Sequence, residues 1–105
     1  KGEIEHAMRE YELAAKKLPV AYLYIANIQL QKGIYDEAEE NYRYVIRKLP
    51  DNADAYNNLA WLLYLKKDNI EEAEELVLKA LRLKPDDENY KDTLNKIREL
   101  LYSKR

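Results

Sequence analysis

Ala38-Glu39-Glu40-Asn41-Tyr42-Arg43-Tyr44-Val45-Ile46-Arg47-Lys48-Leu49-Pro50 reads as one amphipathic helix and its stop. Ala38, Tyr42 and Val45 are spaced by four and then three residues, which puts them on one helical face. Pro50 ends the helix, because the residue before a proline avoids the helical region. The same phrase occurs twice more, as Ala7, Tyr11, Ala14 and Pro19, and as Ala73, Val77, Ala80 and Pro85. A repeat of this size means that each unit buries its apolar face against its neighbours. Stacked helical units present an extended surface rather than a catalytic pocket.

The phrase extends upstream in two copies. Tyr22, Ile25 and Ala26 precede Ala38, and Tyr56, Leu59 and Ala60 precede Ala73. An aromatic followed three and four residues later by apolar residues is again one helical face. The turns between are Gly2-Glu3-Ile4, Gly33-Ile34-Tyr35 and Asp68-Asn69-Ile70. Gly and Asn accept the left-handed conformation that ends a helix. Each full unit is therefore helix, tight turn, helix, proline. Six helices are expected, at 4–17, 20–32, 36–48, 53–66, 70–83 and 87–102. Asp36 with Glu39, Asn69 with Glu72, and Asp51 or Asn52 supply capping chemistry. The last helix carries a narrow stripe of Tyr90, Leu94, Ile97 and Leu101 beside a wide polar face, as a terminal cap should.

On these residues the chain resembles the tetratricopeptide repeat, a helix–turn–helix unit of about 34 residues. The resemblance implies an all-α, right-handed superhelical stack of antiparallel hairpins forming one domain. Its parts are a half repeat at 1–19, full repeats at 20–52 and 53–86, and a capping helix at 87–103. The prolines are spaced by 31 and then 35 residues, the extra residue lying in Lys66-Lys67-Asp68-Asn69. Ala26 and Ala60 stand where the family often has Gly, and Gln29 where it prefers a large apolar residue.

Composition narrows the function. Lys+Arg 18 against Asp+Glu 20 leaves a net charge of −2, so no single-sign field favours nucleic acid. There is no Cys, hence no disulfide framework or thiolate chemistry. The longest apolar run, 59–65, is far short of the ~20 residues that span a bilayer, and a cytoplasmic location is expected. Abundant Lys, Glu, Ile and Tyr lean towards a thermophilic source, whereas eight Asn lean the other way.

Ser103, Thr93 and His6 are each the only residue of their type, and they lie in separate segments. A nucleophile, base and orienting group cannot be assembled from them. With Gly2 and Gly33 as the only glycines, Gly-rich phosphate loops are excluded. Glu71, Glu72, Glu74 and Glu75 read as solvated first-turn residues of a helix whose dipole favours negative charge. No enzyme, metal or cofactor is expected.

The resemblance points instead to the first helix of each unit, which in the family lines a concave groove. The implied groove residues are Leu23, Tyr24, Asn27, Leu30 and Gln31 on one helix, and Asp54, Asn57, Asn58, Trp61 and Tyr64 on the next. Trp61, the only Trp, lies off the packing stripe, and such aromatics are frequent binding anchors. Chaperone-binding members of the family use Asn where Asn27 and Asn58 stand, to grip a peptide backbone or terminal carboxylate. An Asn side chain offers both a donor and an acceptor for that purpose. Here Leu23 replaces a basic residue, and Asn89 and Thr93 occupy the other expected basic places. The expected partner is therefore an apolar or aromatic peptide, or a helix, of another protein, rather than the acidic tail of a heat-shock chaperone.

The chain opens on the second helix of a unit whose first helix is absent, which reads as a piece excised or engineered from a longer array. Ile4, Met8 and Tyr11 then form an open apolar end. The alternative function is self-assembly, with this end meeting helix 87–102 of another copy head-to-tail or by swapping.

Overall fold

The computed structural model describes residues 2–15 and 18–103. Among them are six α-helices and no strand: α1 (Gly2–Ala15), α2 (Ala21–Gln31), α3 (Tyr35–Lys48), α4 (Ala53–Lys66), α5 (Ile70–Leu83) and α6 (Glu88–Tyr102). Residues 16 and 17, expected in the first helix, lie outside the described residues. The chain divides into two compact units, Lys1–Pro50 and Asp51–Arg105.

In the first unit α2 packs against both α1 and α3. Its core is Ala21, Leu23, Ile25 and Ala26 from α2 with Ala38, Tyr42 and Val45 from α3. In the second unit α5 packs against α4 and α6, and α4 also touches α6. Leu59, Ala60, Leu62, Leu63, Ala73, Val77, Ala80, Tyr90 and Ile97 are closed to solvent there. The repeated phrase is the inner face of both units. Ala38, Tyr42 and Val45, and likewise Ala73, Val77 and Ala80, are fully buried. In the first copy Ala7, Tyr11 and Ala14 are only half-covered.

The mid-unit turns are the same hydrogen-bonded device made with different residues. After α2, Ile34 N–H donates to Gln29 C=O at 2.9 Å and Gly33 N–H to Leu30 C=O at 3.1 Å, with Gly33 left-handed at φ 79°. After α4, Asp68 N–H donates to Leu63 C=O and Lys67 N–H to Tyr64 C=O, both at 3.1 Å, with Lys67 left-handed at φ 55°. These paired bonds satisfy the last helical carbonyls. The extra residue of the second turn is absorbed by a further left-handed residue, Asn69 at φ 50°.

Some expected caps are corrected. Asn52 Oδ1 accepts from Ala55 N–H at 3.1 Å, as a cap should. Asp36 is not the N-cap residue, because α3 begins a residue earlier, with Ile34 as its lead-in. Asn69 does not cap its backbone either; its amide donates to Glu72 at 2.9 Å. Gly2 is the first residue of α1 rather than a turn residue. Glu74 is more than a solvated first-turn residue, since Arg98 donates to it at 2.8 Å and Tyr102 at 3.1 Å, tying α5 to α6.

Candidate functional site

In the second unit, α4 turns Tyr56, Leu59, Ala60 and Leu63 inward and leaves Asn58, Trp61 and Tyr64 half-buried. Trp61 and Tyr64 lie one turn apart and stack, with ring centroids 5.0 Å apart and planes at 21°. Asn57 is not a surface residue, being only 3% exposed. Its Nδ2 donates to Asn58 Oδ1 at 3.2 Å, whereas its own Oδ1 is buried without a hydrogen-bond partner.

Facing this row is α6, which Asp87 caps by accepting from Tyr90 N–H at 3.0 Å. Tyr90 is buried and its hydroxyl donates to Asp54, so Asp54 serves as a tie between α4 and α6. Burial, and then the neighbouring carboxylates Asp54 and Asp87, push the Tyr90 hydroxyl well above the usual tyrosine range. Thr93, which the stripe did not include, is also buried, and its hydroxyl donates to Asn89 C=O at 3.1 Å. Between the two helices lies a cleft of ≈ 210 Å³ lined by Asn57, Asn58, Trp61, Asn89, Asp92 and Thr93. Asp92 belongs to this group because α4 and α6 converge. It sits on the polar face of its own helix, where periodicity marks it only as solvated.

In the first unit, Tyr24 is 43% exposed, Gln31 is exposed, and Asn27 and Leu30 are half-buried. Leu23 is a core residue, 4% exposed. Tyr42 donates to Asn27 Oδ1 at 2.6 Å, and Asn41 donates to Gln29 Oε1 at 2.9 Å. Gln29 thus bridges α2 to α3 with a hydrogen bond at the place where the family prefers a large apolar residue. Burial holds the Tyr42 hydroxyl well above its ordinary range.

Tyr24, Asn27 and Gln31 of one set expected on this unit meet Ile4 and Tyr11 of the other in one place, without Leu23 or Leu30. Tyr11 stacks on Tyr24 at 5.2 Å. A cleft of ≈ 310 Å³ is lined by Ile4, Ala7 and Tyr11 of α1 with Tyr24, Asn27, Ile28 and Gln31 of α2. Met8 is half-buried and is not among its lining residues. Ile4 is 45% exposed.

Among the described residues no helix is long and apolar enough to cross a membrane, and no three His, Asp or Glu side chains gather as a metal site. The likeness to known proteins is consistent with the fold. A TPR repeat-containing protein of Pseudomonas aeruginosa is 41% identical over 58 residues. That match takes in 55% of this chain but only 10% of the relative, so the chain spans about a tenth of the relative's length. Two solved structures share the architecture. The first TPR domain of Spaghetti (RPAP3), solved with the HSP90 peptide SRMEEVD, superposes with a TM-score of 0.84 at 21% identity, covering 95% of this chain and 81% of that one. The type III secretion translocator chaperone SycD of Yersinia enterocolitica does so with a TM-score of 0.73 at 20% identity, covering 97% and 72%. The tetratricopeptide repeat pattern itself matches residues 29–97, which is where the buried Ala, Tyr and Val phrase and the two left-handed turns lie, and the chain belongs to the tetratricopeptide repeat family.

Proposed function

We propose that the chain is a non-enzymatic interaction module that binds a peptide or helical segment of another protein. Tyr24, Asn27, Leu30 and Gln31 of α2 are the candidate contacts in the first unit, and Asn58, Trp61 and Tyr64 of α4 in the second. The reading is carried by the Trp61–Tyr64 stack, a partly uncovered aromatic pair at the rim of a polar cleft. Anchors of this kind dominate binding energy when a partner covers them. Leu23 is closed to solvent, so its contribution is to the shape of the first unit's surface. The relative solved with an HSP90 peptide and the secretion chaperone are both associated with protein partners by name, which supports the class of function without identifying the partner here.

A peptide array probed with the wild-type chain and with Trp61→Ala tests this. Segments that bind should lose tenfold or more in affinity, about 1.4 kcal/mol or more, in the variant. The unfolding midpoint should move little. Equal losses of affinity and stability would make Trp61 a packing residue and remove the reading.

A second reading is self-association, favoured by Ile4, 45% exposed, beside half-covered Met8 and Tyr11. Sedimentation velocity across a concentration series would reveal it, and Tyr11→Glu should abolish any self-association seen. A monomer throughout the series leaves only the first reading.

A further inference from the structure

We infer that the cleft between α4 and α6 takes a hydrogen-bond-donating cation, an arginine side chain presented by the partner segment. This rests on the interaction-module reading and concerns the chemistry that the module selects.

The cleft carries one orphaned buried acceptor and one full charge, which is negative. Asn57 is 3% exposed and donates one amide N–H to Asn58, while its carbonyl oxygen is buried with no partner. Such an orphan is costly, and natural structures hold few of them. The Thr93 proton is engaged by Asn89 C=O, so the hydroxyl oxygen has only lone pairs left to offer. Asp92 adds a full negative charge, and no Lys or Arg lines the cleft. Trp61 supplies an aromatic ring held in place by Tyr64. A carboxylate brought into this setting would meet the like charge of Asp92 and leave the Asn57 carbonyl oxygen unsatisfied. A guanidinium instead offers five donors in a planar fork and packs against indole faces.

The competitor for Asp92 is Lys96 on the same helix, at 3.1 Å. Both side chains are well exposed, so the pair is weak and exchangeable. An arginine that brings several donors at once can displace it.

The test is a heteronuclear NMR titration of the intact chain with Ac-Gly-Arg-Gly-NH2, Ac-Gly-Gln-Gly-NH2 and Ac-Gly-Glu-Gly-NH2 at low salt. The probes are the Trp61 indole N–H and the Asn57 side-chain amide. The arginine peptide should shift both saturably, the glutamine peptide at least about tenfold more weakly, and the glutamate peptide not at all, since charge-assisted bonds are roughly twice as strong as neutral ones. Asp92→Asn should weaken the arginine peptide, and Lys96→Gln should strengthen it. Asn57→Leu should abolish the shift of the indole, because the orphaned acceptor is removed. Three results overturn the inference: no shift with arginine up to millimolar peptide, a glutamate shift as large as the arginine one, or an undiminished arginine shift in Asn57→Leu. Array segments that bind through Trp61 yet lack any basic residue also overturn it, and leave the interaction module standing. If no peptide binds through Trp61, both fall.

Discussion

The Tyr42 hydroxyl donates to Asn27 Oδ1 across 2.6 Å, joining the middle of α3 to the middle of α2. The ring of Tyr42 is fully buried, while Asn27 is half-buried and lines the cleft beside Tyr24. One bond thus satisfies a buried hydroxyl and fixes the orientation of a candidate contact residue. In Tyr42→Phe the ring packing survives and the hydrogen bond does not. We expect a loss of about 0.5–1.5 kcal/mol, read as a lower urea midpoint at unchanged slope. An unaltered midpoint would mean that the bond stabilises nothing.

Alkaline pH should unfold the protein through its buried tyrosines. Burial raises Tyr42, and burial with Asp54 and Asp87 raises Tyr90. Below about pH 10, the ordinary tyrosine value, both groups are protonated in the folded and unfolded chain and their contribution is complete. Above it the unfolded state releases protons that the folded state retains, so stability falls as pH rises. Urea unfolding at pH 8, 10 and 11 should show this decline, and Tyr90→Phe should make it shallower. A flat profile would contradict the burial of these hydroxyls.

Two of the left-handed turn residues, Lys67 and Gly33, should respond in opposite directions. Lys67 holds φ 55° with a side chain, a conformation that costs an L-residue roughly 1–2 kcal/mol. Lys67→Gly should raise stability by about 0.5–1 kcal/mol, part of that relief being offset by the greater entropy of glycine in the unfolded chain. Gly33→Ala should lower it by a similar amount through φ alone, because a Cβ there meets no atom within 4 Å. Thermal melting of the two variants decides; the same sign in both would be inconsistent with the turn geometry.

Overpacking should grade with burial. Ala38 and Ala73 are fully buried, and Leu at either should cost about 1–3 kcal/mol. Ala7, at the equivalent place in the first copy, is half-covered, so Ala7→Leu should cost distinctly less. Equal losses at all three positions would show that α1 is as tightly covered as α3 and α5.

The sequence by itself determined the helices, their order and their inner faces. Local signals do this, because Ala38, Tyr42 and Val45 can share a face only in a helix, and Pro50, Gly33 and Asn69 act on their own backbone. Helices α4 and α5 occupy the expected residues, α3 and α6 end where expected, and the other described boundaries differ by one or two, the usual fraying of helix ends. The family resemblance was legible for the same reason, being a spacing. Tertiary structure decided which off-stripe residues remain available. Periodicity describes one face of one helix, but α2 packs against two neighbours, and so does α4. Leu23 and Asn57, one or two steps off their stripes, are buried, and Asp54 is held by Tyr90 from a helix 36 residues away. The family resemblance already puts Asn89 and Thr93 near Asn58, but the joining of Asp92 to Trp61 and Asn57 depends on where α6 lies against α4, a long-range packing outcome with no local signal in either helix.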